Sequence, residues 1–226
     1  MSIYAISDLH LSFSNPEKTM ELFGDKWADY QEKIRKNWNS TVKDIDTVII
    51  PGDICWALSL EEAIDDFKFL EDLPGKKIIL KGNHDYYFST VTKVKKFLKD
   101  NNFKSIDILN NNSFCVEGIN ICGTRLWSHT EIEQADDKKI FRRELIRLKL
   151  SLDSVENKFL PIIVATHFPP FRSEVTDLLS SYNVKKCIYG HLHGDGHYMV
   201  KQGIINDIEY IMVSGDYTGF KLIKLN

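Results

Sequence analysis

Five apolar runs in this chain each lead, within three residues, into a cluster of oxygen and nitrogen donors. That repetition limits the folds open to it. The clusters are Asp8-Leu9-His10, Gly52-Asp53, Gly82-Asn83-His84-Asp85, Thr166-His167 and Gly190-His191-Leu192-His193. The runs before them, residues 3–7, 47–51, 77–80, 161–165 and 185–189, are short, largely β-branched or otherwise apolar, and read as strands. In an open α/β sheet, ligands gather beyond the carboxyl ends of the strands. Clusters far apart in sequence can therefore meet in one crevice.

Helical signals separate the first strands. Phe23, Trp27, Tyr30, Ile34, Trp38 and Val42 recur at steps of three or four and predict one apolar stripe on a helix. Residues 60–73 read as a helix with Ile64, Phe67 and Leu70 inward, and a lysine-rich helix with Val91, Val94, Phe97 and Leu98 inward runs to about residue 101. Strand, helix, strand in succession implies βαβ units and an at least partly parallel sheet. The middle differs: residues 105–109, 114–117 and 119–123 are short strands broken by Asn110-Asn111-Asn112 and Gly118, a hairpin pattern. Thr130 and Glu133 have capping-box spacing before a long helix whose stripe is Phe141, Leu145, Leu148, Leu152 and Val155. A helix over 173–181 and strands near 198–201, 208–213 and 220–225 complete the reading. No repeat, linker or low-complexity stretch interrupts it, so residues 1–226 are expected to form a single domain.

Size and charge exclude several classes. Folding a chain of 226 residues buries roughly 70% of its unfolded surface, so its core needs neither disulfide nor metal. Cys55, Cys115, Cys122 and Cys187 form no C-x-x-C pair and read as buried free thiols in a reducing compartment. A net charge of −3 argues against a broad nucleic-acid or anionic-membrane surface. Lys93, Lys95, Lys96 and Lys99 read as a solvated helix face. No signal peptide or spanning helix is evident, so cytoplasmic residence is the expectation.

The donors suit a two-metal site. Side chains at i and i+2 of extended chain point the same way, so Asp8 with His10, and His191 with His193, can each present two groups to one place. Asp53 stands between them in the chain and is the natural bridge between two cations. Imidazole, carboxylate and amide donors without thiolate select Mn, Fe, Zn or Co over a soft metal. His129 and His197 fall outside the clusters and read as ordinary surface or core histidines.

D-x-H, G-D, G-N-H-D, T-H and G-H-x-H, in this order from residue 8 to 193, resemble the calcineurin-like metallophosphoesterase superfamily. The resemblance implies a four-layer α/β/β/α sandwich of two mixed β-sheets flanked by helices, around a dinuclear metal centre. It implies that Asp8, His10, Asp53 and His193 hold one divalent ion and Asp53, Asn83, His167 and His191 the other. His84 would sit near the substrate without binding metal. A metal-bridging hydroxide would attack the phosphorus of a small phosphoester, phosphodiester slightly favoured over phosphomonoester. His84 would donate a hydrogen bond or proton to the leaving oxygen.

The chain departs from the Ser/Thr protein phosphatase branch. Trp56 stands where that branch has an aspartate orienting the catalytic histidine, and Lys81 stands where it has an arginine before Gly-Asn-His. Asp85 is the alternative partner for His84, or it faces away. Arg125, at the end of a short strand, reads either as a bidentate grip on phosphate or as a surface arginine lying over Trp127. Segments 12–43 and 127–158 are the candidates to cover the site. A noncatalytic interaction module, a nuclease and a protein phosphatase are the competing readings. Every expected ligand position is filled, and aromatic–basic interleaving is lacking.

Overall fold

A computed structural model describes residues 1–127 and 134–226. The predicted capping box at Thr130 and Glu133, and His129, lie outside the described residues. The β-branched run at the N-terminus forms β1 (Ile3–Ala5), followed by α1 (Tyr30–Thr41), β2 (Thr47–Ile50), α2 (Ile64–Asp72), β3 (Lys76–Ile79), α3 (Val91–Asp100) and β4 (Ile106–Ile108). A β5–β6 hairpin (Phe114–Val116, Ile119–Thr124) leads into α4 (Ala135–Asp153), β7 (Ile162–Thr166), α5 (Ser173–Ser180) and β8 (Val184–Tyr189). The tail adds β9 (Gly203–Ile205), β10 (Ile208–Met212), α6 (Gly215–Thr218) and β11 (Ile223–Lys224).

The described strands form two mixed sheets. One has the order β11-β1-β2-β3-β4, parallel except for β11. The other has the order β5-β6-β7-β8-β10-β9, parallel except for its two edges. The alternation of side chains along each strand builds the layers. Ile49 of β2, with Ile3, Ala5 and Ile78, packs on Ile121, Ile163, Ala165 and Ile188 of the second sheet. Val48 and Ile50 face the opposite way, onto Ile34 and Trp38 of α1, Phe67 and Leu70 of α2 and Val94 and Phe97 of α3. Likewise Cys122, Val164 and Cys187 face Phe141, Leu148 and Leu152 of α4 and Val175 and Leu179 of α5. The result is the helix–sheet–sheet–helix order expected from the sequence.

Several local expectations change. The stripe from Phe23 to Val42 is not one helix: Gly24, with φ of 114°, and Asp29, left-handed with φ of 52°, break it into short 3-10 turns before α1. Phe23 is exposed and Trp27 buried. Ile64 lies at the start of α2 and is exposed, while Phe69 and the carboxylate Asp66 are buried instead. β4 does not join a hairpin; it pairs in parallel with β3 because α3 has already carried the chain back across the sheet. Residues 194–199 form a 3-10 turn where a strand was expected near 198–201. Cys55, Cys122 and Cys187 are buried and free; Cys115 is also free but exposed. No helix among the described residues is long and apolar enough to cross a membrane.

Candidate metal centre

All five clusters lie just beyond strand carboxyl ends, and the structure brings them together. Asp8 and His10 follow β1, Asp53 follows β2, Asn83 and His84 follow β3, His167 follows β7, and His191 and His193 follow β8. The turns needed are abrupt. Asp8, His10, Asp53 and His191 all adopt positive φ, from 44° to 74°, which non-glycine residues seldom do. Such conformations persist where surrounding contacts hold them, and they collect at functional sites. Gly82 and Gly190 serve the close approach of neighbouring groups and not a left-handed turn. A Cβ on Gly82 would overlap the carboxylate and amide of Asp53, and one on Gly190 would overlap the Asp8 carboxylate and the Ser7 side chain. Gly52 alone of the three has positive φ, 91°.

One group of donors comprises Asp8, His10 and His193. His10 Nε2 is 3.4 Å from His193 Nε2, and Asp8 Oδ1 is 3.3 Å from the latter. A second group comprises Asn83, His167 and His191. Asn83 Oδ1 is 2.6 Å from His167 Nε2 and 2.9 Å from His191 Nδ1. Asp53 lies between the groups through a single atom: its Oδ2 is 3.7 Å from His10 Nε2 and 3.4 Å from His167 Nε2. Its other oxygen accepts the His84 amide at 2.8 Å. Asp8, Asp53 and His167 also present ligand atoms close enough together for one ion.

Hydrogen-bond chemistry tests whether these donors suit a cation. His167 Nδ1 lies 2.9 Å from the Pro51 carbonyl, which can only accept, so this nitrogen carries the proton. Burial pushes the ring's pKa down to about 4, so it is neutral and Nε2 holds a lone pair. That lone pair faces two further acceptors, Asn83 Oδ1 and Asp53 Oδ2. A metal ion placed among these three atoms would satisfy them all. At the first group His193 Nδ1 donates to Asp216 Oδ1 at 2.8 Å, which turns Nε2 toward Asp8 and His10. Burial opposes a charge on His193, yet Asp8 and Asp216 overcome it and raise the ring to about 10. Positive charge is favoured at this point. Burial, with Asp8 and Asp85 nearby, raises the Asp53 carboxyl well above its usual range, so it too calls for a cation.

The surrounding residues settle the alternative left open for Asp85. Asp85 faces away from the His84 ring: its carboxylate accepts the amides of Gly82 (2.7 Å), Ile54 (2.8 Å) and Asp53 (3.0 Å) and pins the two turns together. His84 Nδ1 is buried with no hydrogen-bond partner among the described residues. Its ring leans on Trp56, centroids 4.7 Å apart, and stands 5.6 Å from His10. Burial lowers its pKa. Trp56 also stacks on His10 at 4.8 Å, so it supplies an aromatic wall beside that ring. From segment 12–43, Trp27 packs edge-on against His10 and His193 at 6.0 and 5.6 Å and covers part of the site. Of the two readings of Arg125, the structure shows the contact with Trp127: its guanidinium lies 4.8 Å over that ring, although the side chain is largely buried, and its carbonyl accepts the amide of Phe168, the neighbour of His167.

Sequence reasoning missed Ser214 and Asp216, which follow β10, and read His197, which precedes β9, as an ordinary surface or core histidine. Ser214 Oγ donates to Asp8 Oδ2 at 2.8 Å, Asp216 holds His193, and His197 Nε2 stands 3.2 Å from Asp216 Oδ2. His197 thus borders the site through Asp216, where an ordinary surface or core histidine was expected. The missed signal was available: Val213-Ser214-Gly215-Asp216 is a sixth strand-end cluster of the same kind.

Comparison with known proteins agrees with this geometry. Residues 1–195 match the model of the calcineurin-like phosphoesterase family. The chain is 30% identical over 120 residues to the uncharacterized protein MJ1445 of Methanocaldococcus jannaschii, covering 51% of this chain and 67% of that one. It is 21% identical over 233 residues to the uncharacterized protein L509 of Acanthamoeba polyphaga mimivirus, covering 89% and 79%. Among solved structures, TT1561 of Thermus thermophilus superposes with a TM-score of 0.59 at 15% identity, covering 99% of this chain and 97% of the other. The phosphopantetheinyl hydrolase PptH of Mycobacterium tuberculosis also gives 0.59, at 13% identity, covering 99% and 95%. These two likenesses show a shared fold. With the family match spanning most of its length, the chain belongs to the calcineurin-like phosphoesterase family.

Proposed function

We propose that this chain is a dinuclear metal-dependent phosphohydrolase that acts on small phosphoesters, with phosphodiesters ahead of phosphomonoesters and residues 1–226 working as one catalytic domain. The single observation that carries the reading is the position of Asp53 Oδ2, within 3.7 Å of His10 Nε2 and 3.4 Å of His167 Nε2. Asp8, His10, Asp53 and His193 would hold one ion, and Asp53, Asn83, His167 and His191 the other. Two divalent cations, when bound, supply Lewis acidity that activates water and neutralises phosphate charge. Mn, Fe, Zn and Co fit the donor set.

The chain's own residues do the rest. Asp216 and the Pro51 carbonyl fix the tautomers of His193 and His167, so that Nε2 of each faces inward. Ser7, Ser214 and the His191 amide hold the Asp8 carboxylate. Trp27 and Trp56 exclude water from one side. His84, beside the first group but outside both, donates a hydrogen bond or proton to the leaving oxygen. The buried, unpaired thiols of Cys55, Cys122 and Cys187 support residence in the reducing cytoplasm.

The test is turnover of 4-nitrophenyl phosphate and bis(4-nitrophenyl) phosphate by purified protein loaded with each metal in turn. We expect hydrolysis of at least the diester with Mn. Protein carrying two metals per chain that turns over neither ester with Mn, Fe, Zn or Co would contradict the reading and leave a noncatalytic binding module.

A further inference from the structure

Beside the metal-ligand candidates, between the ends of β3 and β6 and the inner face of α4, lies a cavity of 420 Å³. That volume is ordinary for a ligand site. Lys81, Arg125, Arg143 and Arg147 line it, and Glu144 is the one carboxylate among the described residues that do. Glu144 is buried, and its position explains why the arginines gather. Its Oε2 accepts the Thr124 hydroxyl at 2.8 Å, while Oε1 lies 2.7 Å from Arg147, 3.6 Å from Arg143 and 3.9 Å from Arg125.

A structural ion pair needs one arginine per carboxylate. Here four cations face one anion, so the described lining carries three positive charges in excess. Burial lowers Arg125, and although Glu144 opposes this, the charges of Arg143 and Arg147 lower it further. The cations therefore oppose one another, and an anion would relieve them. The N-terminal turn of α3, capped by Thr90, also opens on the cavity and adds the positive end of a helix. Guanidinium groups arranged around a void suit the tetrahedral oxygens of phosphate.

Two links tie the cavity to the metal-ligand candidates. Lys81 is two residues from Asn83, a Cα separation of at most about 7 Å. Arg125 holds the Phe168 amide through its carbonyl at 3.0 Å, next to His167. An anion here can belong to the same molecule as the phosphoester at the metals.

We propose that this cavity binds a second phosphate carried by the substrate, so that the enzyme selects bis-phosphorylated molecules. The proposal rests on the hydrolase reading above and deepens it. Arg143 and Arg147 are positioning and specificity residues, since they meet the second phosphate and not the reacting one.

The experiment compares two esters that share a leaving group and differ by one phosphate: thymidine 5′-(4-nitrophenyl phosphate) and its 3′-phosphorylated form. With Mn-loaded protein, kcat/KM should favour the 3′-phosphorylated ester by roughly 10- to 100-fold, mainly through KM. The Arg143→Gln/Arg147→Gln double variant should bring that ratio close to one. Arg143→Gln alone, at a half-exposed side chain that the fold does not need, should lower it part of the way. A ratio near one in the wild type, or an undiminished ratio in both variants, overturns the proposal. Should neither ester be cleaved with any metal, the hydrolase reading fails separately. Calorimetric titration with thymidine 3′,5′-bisphosphate and thymidine 5′-monophosphate then decides the cavity. Tighter binding of the bisphosphate, lost in the double variant, supports it; equal binding of the two overturns it. Inorganic phosphate bound in the cavity without any bisphosphate preference would show a site for a free anion and would also overturn it.

Discussion

His84 and Asp216 each touch the candidate centre, but in opposite senses, and their substitutions separate chemistry from metal retention. His84 contributes only its backbone amide to a ligand candidate, at 2.8 Å from Asp53 Oδ1, while its ring stands against Trp56. Replacing the ring by alanine leaves that amide in place. His84→Ala is expected to lower kcat by roughly 10²- to 10⁴-fold with metal content unchanged by elemental analysis. Lost metal with normal turnover per remaining ion would contradict the role. Asp216 works through His193, whose Nδ1 it holds at 2.8 Å. Removing the carboxylate frees the ring to turn, and Asp216→Ala should weaken metal affinity by roughly 10- to 100-fold. A competitive chelator titration measures it; unchanged affinity would show that packing by Trp27 alone orients His193.

At the scale of elements, the strands were legible because β-branched runs and the donors after them coincide, which exposes five of the six strand-end clusters. What escaped was set by contacts between distant elements. Nothing local shows that Ile64 faces solvent or that Asp66, two residues on, is buried against the Phe13 amide at 2.8 Å. Gly24 and Asp29 broke a convincing helical stripe because backbone left-handedness outweighs apolar spacing. Asp66 on α2 carries a prediction of its own. Burial raises its carboxyl to about 6 despite the Phe13 hydrogen bond. The folded state thus holds this proton more tightly than the unfolded chain does. The stabilisation is full below about pH 4, where both states are protonated, and is lost as pH rises through about 6. The total is at most roughly 3 kcal/mol. Urea denaturation at pH 5 and pH 7.5 should show wild type losing more stability on going up than Asp66→Asn does; equal losses would place Asp66 in contact with solvent.

For the whole molecule, the decisive arrangement is two sheets that face each other with their parallel strands ending on one side. The first sheet delivers Asp8, His10, Asp53 and Asn83, and the second delivers His167, His191 and His193. Neither sheet alone completes either donor group, because His193 joins Asp8 and His10 while Asn83 joins His167 and His191. That convergence was foreseeable from strand-end chemistry. The single oxygen that faces both groups was not, since only the fold determines that the His84 amide occupies Asp53 Oδ1 and leaves Oδ2 toward His10 and His167. Anomalous diffraction at the manganese edge from crystals of Mn-loaded protein tests this most directly. Two peaks about 3.5–4 Å apart that share Asp53 Oδ2 as a ligand are expected. One peak, or two on separate surfaces with Asp53 bound to neither or only one, would contradict it.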